Sequence, residues 1–179
     1  MTEEKKEKWL NYLALTTVVF AVCATLSTFK GGGFSTKSVL AQSQASDQWS
    51  YYQAKSIKGY LYELQKEKLE MELKASGPRL PRALGEEYEK KREGYASKIK
   101  KYDGEKAKIE KDAKDLESTR DDAQRHSQGF GMAVIFLQIA ILLSSIAALL
   151  KKKTVWLLGL ATGVFGLVFF ANGFLLFLR

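Results

Sequence analysis

The sequence predicts an all-α membrane protein: three transmembrane helices, with a long antiparallel coiled-coil helical hairpin inserted between the first and the second. Three observations predict it. The stretches Trp9–Phe29, Phe130–Leu150 and Thr154–Leu178 contain no Asp, Glu, Lys, Arg or His, and each reaches the ~20 residues a helix needs to cross a bilayer core. Residues 30–127 carry most of the charge, and their apolar side chains recur in alternating steps of three and four. Both prolines of the chain, Pro78 and Pro81, fall together inside that charged stretch, where a helix has to turn. The mean hydropathy of −0.19 is thus the average of two very different regions, which excludes a water-soluble domain built on one core.

Residues 1–8, MTEEKKEK, form a charged head that leads into Trp9, an aromatic suited to the headgroup level. Transmembrane helix one is expected over 9–29. Its hydroxyls at Thr16, Thr17, Thr25, Ser27 and Thr28 are expected to return to carbonyls of their own helix. The apolar run is too long for a signal peptide and reads as a permanent anchor. Cys23, the single cysteine, is read as a small packing residue. Lys30-Gly31-Gly32-Gly33 is expected to end the helix in a hinge, because glycine loses the most backbone entropy on becoming helical.

The extramembrane segment, 30–127, is read as a hairpin with arms over about 35–75 and 82–127 and its tip at 76–81. Ser35 or Thr36 is the expected N-cap of the outgoing arm. Along that arm Ser50, Ala54, Ile57, Leu61, Leu64, Lys68, Met71 and Ala75 make a seam with coiled-coil spacing. The returning arm carries a sharper one: Tyr88, Tyr95, Tyr102, Ile109 and Leu116 recur every seventh residue. Such a stripe packs on another helix. The seam is thin and rich in tyrosine, so association with further copies is the expected way to bury more of it.

Transmembrane helix two follows over 130–150, a basic turn over 151–153, and transmembrane helix three over 154–178. Gly159 and Gly163 stand at the spacing that lets helix backbones approach closely. Gln138 and Asn172 are candidate polar contacts, within the bundle or along a pore. Lys151, Lys152 and Lys153 occupy a short connection, where positive charge marks the cytoplasmic side. That orientation puts the N-terminus in the cytoplasm and the hairpin on the extracytoplasmic, or periplasmic, side.

The formal net charge is +8, and half of it sits at the ends of the last two spans, which suits anionic lipid headgroups. Elsewhere Lys alternates with Glu and Asp, so no basic face is available to nucleic acid. With one histidine, His126, one cysteine and no carboxylate in the spans, the chain offers no nucleophile–base pair and no zinc spacing. No enzyme activity, metal or cofactor is expected.

The unusual segment is Ala45–Ser56, ASDQWSYYQAKS. At 100° per residue, Ala45, Trp49, Tyr52, Ser56 and Gly59 share one narrow face that a partner helix can enter, and together with Ile57, Leu61 and Leu64 they form the expected packing surface of the arm. The run ASDQWSYYQAKSIK resembles the signature of a bacterial membrane-protein family of unknown function, whose members look like this chain over nearly its full length. The resemblance implies a multi-pass protein of the bacterial inner (cytoplasmic) membrane. It supplies no substrate, cofactor or catalytic residue. Many members have a head rich in His and Glu; MTEEKKEK has three Glu and no His, so a metal-linked role is not carried over to this chain. The expected function is a self-associating structural or interaction scaffold, with lipids, further copies and an unidentified membrane protein as partners. The alternative is a pore-forming or accessory subunit of a channel, transport or energy-coupling complex.

Overall fold

The computed structural model describes residues 2–77 and 81–178, with side chains from residue 8 onward. Three α-helices follow one another, α1 over Thr2–Ser76, α2 over Arg82–Leu150 and α3 over Lys153–Leu175, and no strand occurs among the described residues. Each helix contains a window long and apolar enough to cross a membrane. The chain divides into two compact units, an apolar one of residues 1–40 and 119–179 and a polar one of residues 41–118.

The apolar unit packs large side chains of one helix into glycine and alanine positions of the next. Phe20, Ala24, Ala133, Leu137 and Ala140 form its main core, and Trp9, Leu13 and Ala147 a second cluster. On α2 the buried positions Phe130, Ala133, Leu137, Ala140, Ser144 and Ala147 advance by three and four, the step that keeps one helix face against a neighbour. A Cβ on Gly163 would overlap the Phe20 ring, and one on Gly166 would stand 2.7 Å from Leu137 Cγ. The hydroxyls of Thr16, Thr17, Thr25, Ser27 and Thr28 return to carbonyls three or four residues back, as expected.

The glycine run departs from expectation. Helix α1 passes through Gly31-Gly32-Gly33 without a break, so neither a hinge at 30–33 nor an N-cap at Ser35 or Thr36 exists; Thr36 bonds back to the Gly32 carbonyl inside the helix. The reason is packing. A Cβ on Gly31 would stand 3.0 Å from Phe130 Cβ, Phe34 stacks on His126 and lies 6.0 Å from Phe130, and Ser127 Oγ donates to the Gly31 carbonyl at 3.1 Å. These contacts outweigh the roughly 1 kcal/mol that each glycine costs a helix. Gln128-Gly129 likewise lies inside α2 rather than at a boundary.

Lys151, at φ 51°, makes the turn between α2 and α3. Lys152 N–H closes it on the Ala147 carbonyl at 3.2 Å, the bond that ends a helix with a left-handed residue. The third helix stops at Leu175, three residues short of the expected end.

In the polar unit the contacts between α1 and α2 pair rising numbers with falling ones. Trp49 meets Glu117, Lys55 meets Glu105, and Tyr62 meets Tyr102 and Tyr95, the order of two antiparallel segments. Ala41, Ala45, Ile109 and Ala113 are buried between them. Gly77, at φ +50°, follows the last residue of α1; Pro78 lies outside the described residues. The Pro81 carbonyl accepts from Leu84 and Gly85 N–H at the start of α2.

Candidate functional site

Three places collect the residues singled out in the sequence. The first is the inner face of the polar unit. Trp49 Nε1 donates to Glu117 Oε1 at 2.9 Å, and its ring meets Tyr52 edge to face at 5.6 Å. Ala45 is buried and Ser56 returns its hydroxyl to the Tyr52 carbonyl. The narrow face of the signature segment is thus spent inside the chain, on the neighbouring arm. Tyr62, absent from the expected seam, stacks on Tyr102 and meets Tyr95 at a tilt, both at 5.8 Å between centroids, with Lys98 Nζ 4.7 Å from its ring. Ile109 is buried, and Tyr88 and Leu116 are half-buried.

Lys55 organises this face electrostatically. Its Nζ lies 2.6 Å from Glu105 Oε2 and near the faces of Tyr51 and Tyr102. The hydrogen bond to Glu105, and after it that to Tyr51, holds the Lys55 pKa above its ordinary value, and the same bond holds the Glu105 carboxyl below its own. Asp103 raises Lys106 in the same way.

The second place is the outer face of α1. Ile57, Leu61, Leu64 and Met71 are 60, 55, 61 and 64 % exposed. The outgoing seam therefore does not pack on α2, contrary to the simplest reading of its spacing. Leu61 and Gly59 are two residues apart, about 200° around the helix, and Gly59 is on the buried side, with the Tyr102 Cβ 3.9 Å from where its own would be. Small residues at Ala45 and Gly59 let the second helix approach on that side; the bulkier aliphatic stripe is left outside.

The third place, at the border between charged and apolar sequence on α2, was not foreseen. His126 Nδ1 donates to the Gly173 carbonyl at 2.7 Å; a carbonyl only accepts, so this nitrogen carries the hydrogen. A Cβ on Gly129 would stand 2.9 Å from Gly173 Cα, so here the backbones of α2 and α3 meet directly. Asn172 is buried; its carbonyl accepts from Leu176 N–H at 2.8 Å and its Oδ1 from Leu178 N–H at 2.7 Å. Beside these contacts lies a cleft of about 870 Å³, lined by Arg125, Gln128 and Asn172 on the polar side and Met132, Phe169 and Leu176 on the apolar side. From the sequence, Asn172 is read as a polar contact and His126 noted as the single histidine; Arg125 and Gln128 are not read as part of a site.

Of the other candidates, Gly159 faces Ala140, Leu143 and Ser144, and Gly163 faces Phe20, so both serve contacts inside the unit. Gln138 is exposed and has no hydrogen-bond partner among the described residues. Among those residues no group of His, Cys, Asp and Glu is placed to hold a metal ion.

Residues 9–176 match the family described as Domain of unknown function (DUF4337). The chain belongs to this family. The match covers most of the three helices of this DUF4337 chain and reaches both of its units, residues 45–56 included. No curated protein and no solved structure matches it.

Proposed function

We propose that this chain is a non-enzymatic integral membrane protein that self-associates and acts as a structural or interaction scaffold. In this reading α1 and α2 of the polar unit form an antiparallel coiled-coil hairpin outside the bilayer, on the extracytoplasmic side of a bacterial inner membrane. The observation that carries the reading is the exposed stripe of Ile57, Leu61, Leu64 and Met71. Four large apolar side chains in steps of four, three and seven on a helix otherwise rich in Lys and Glu make a seam without an occupant inside the chain. A second copy supplies the same seam, and membrane insertion in one orientation runs the two stripes in the same direction.

Replacing Leu61 and Leu64 with Glu tests it. The native mass of the protein, extracted gently in detergent, is expected to fall from a multiple of 20.1 kDa to the single-chain value. An unchanged mass would sink the proposal. A second reading, an accessory or pore-forming subunit, is favoured by Gln138 alone, an amide on the outer face of an apolar helix that a hydrogen bond to another subunit would satisfy. A native mass that requires a second polypeptide would select it.

A further inference from the structure

We propose that the cleft beside Arg125 binds one anionic phospholipid. The inference rests on the chain spanning a membrane and is independent of self-association. The cleft's place comes first. Arg125 and Gln128 belong to the last charged turns of α2, and the uninterrupted apolar stretch begins at Phe130; the opposite wall is the end of α3 with the residues that follow it, from Asn172 to Leu178. The site therefore straddles the level where water gives way to hydrocarbon.

Its chemistry is that of an amphiphile. Arg125 presents a guanidinium, Gln128 an amide, and Asn172 the N–H2 end of an amide whose oxygen is already taken by Leu178 N–H. Among the described residues no carboxylate lines the cleft, so these donors meet no acidic competitor there, and the selected headgroup is negative. Arg125 is available for it. Arg82, Arg92 and Arg120 are each committed to a carboxylate, whereas among the described residues Arg125 has no ion pair or hydrogen bond. A guanidinium is suited to a phosphate because it offers two parallel donors.

The other wall accepts hydrocarbon. Met132 lies seven residues, two turns, beyond Arg125 on the same face of α2, and Phe169 is held in place by stacking on Phe136 at 5.5 Å. A volume of about 870 Å³ lies in the range of small-ligand sites and suits a phosphate with the first part of its acyl chains, the remainder lying among bulk lipid. The buried Asn172 and the Gly129–Gly173 approach make the floor rigid, since neither backbone can shift without losing the other.

The test uses the full-length chain in a non-ionic detergent, titrated with phosphatidylglycerol or with phosphatidylcholine of the same acyl chains, and read by native mass spectrometry. Phosphatidylglycerol is expected to be retained about tenfold better. Arg125→Gln should abolish that preference, and Arg125→Lys should keep part of it. Met132→Trp, which fills the apolar wall, should weaken both lipids. Equal retention of the two lipids by the unmodified chain, or a preference untouched by Arg125→Gln, overturns the proposal. Millimolar inorganic phosphate that displaces the lipid completely would assign the donors to free phosphate and overturn it as well. Arg125 is exposed on a helix surface, so unchanged helicity by circular dichroism is expected and separates lost binding from lost fold. A chain that stays in solution without detergent would instead refute the membrane reading.

Discussion

In the apolar unit helices meet through what their side chains lack, whereas in the polar unit they meet through what their side chains carry. Gly129 on Gly173, Gly163 under Phe20 and Gly166 under Leu137 are all positions where a Cβ would collide. Tyr62 on Tyr95 and Tyr102, Trp49 on Glu117 and Lys55 on Glu105 are rings and charges with named partners. The difference follows from the solvent each composition suits. Among hydrocarbon chains apolar area gives helices no reason to associate, so contact depends on close approach and dispersion. In water a narrow seam gains most from tyrosine, which buries a large ring and still leaves its hydroxyl wet.

The contrast can be broken most forcefully at Gly129. Gly129→Ala sets a Cβ against the Gly173 backbone, which has no side chain to rotate away, and a loss of about 1–3 kcal/mol or more is expected in detergent unfolding. Gly32→Ala is its counterpart: the position is helical with nothing within 4 Å, and stability should rise by about 1 kcal/mol. Equal effects from the two would show that missing side chains do not hold the apolar unit.

Tyr62→Ala should come next, at about 1–3 kcal/mol, because it removes two ring contacts worth about 0.5–1.5 kcal/mol each. Faster amide exchange over residues 41–118 and little change elsewhere is the expected pattern. Exchange accelerated equally in the apolar unit would mean that the two units do not differ in what sustains them.

The smallest expected effect is pH dependence through Lys55 and Glu105. Because the Glu105 carboxyl is held low, its contribution is present above the ordinary carboxylate range and lost as pH falls through the lowered value. Because Lys55 is held high, its contribution is present up to the ordinary lysine range and lost as pH rises through the raised value. Glu105→Gln should therefore flatten the acid limb of a thermal-stability profile while leaving the neutral plateau only slightly lower. An acid limb as steep as before would assign the dependence to other carboxylates.

The units also differ in how much of each was legible beforehand. Uncharged runs of spanning length mark the three apolar segments with no knowledge of their neighbours. The sevenfold recurrence of Tyr88, Tyr95, Tyr102, Ile109 and Leu116 marks one face of α2, and that face does carry Tyr95 and Tyr102 onto Tyr62. Which face of α1 answers it was harder to see. Spacing favours Ile57, Leu61, Leu64 and Met71, since periodicity detects large aliphatic side chains, while the narrow face of Ala45, Trp49, Tyr52, Ser56 and Gly59 is a second candidate. The structure turns the face of Ala45, Tyr52, Gly59 and Tyr62 inward instead, because small residues permit the closer approach and Lys55 brings a partner for Glu105.

Composition and period thus determined by themselves that the chain is helical, that three segments suit hydrocarbon, and where one face of α2 lies, because these depend only on each residue's preference for water and on 3.6 residues per turn. Tertiary contact decided the rest. It carried α1 through three glycines that local propensity would have left as a hinge, by setting Gly31 on Phe130 and Phe34 on His126. It also brought Asn172 to one cleft with Arg125 and Gln128, which lie far from it in sequence. Neither outcome is written in a window of neighbouring residues, since each depends on which backbones can come within touching distance.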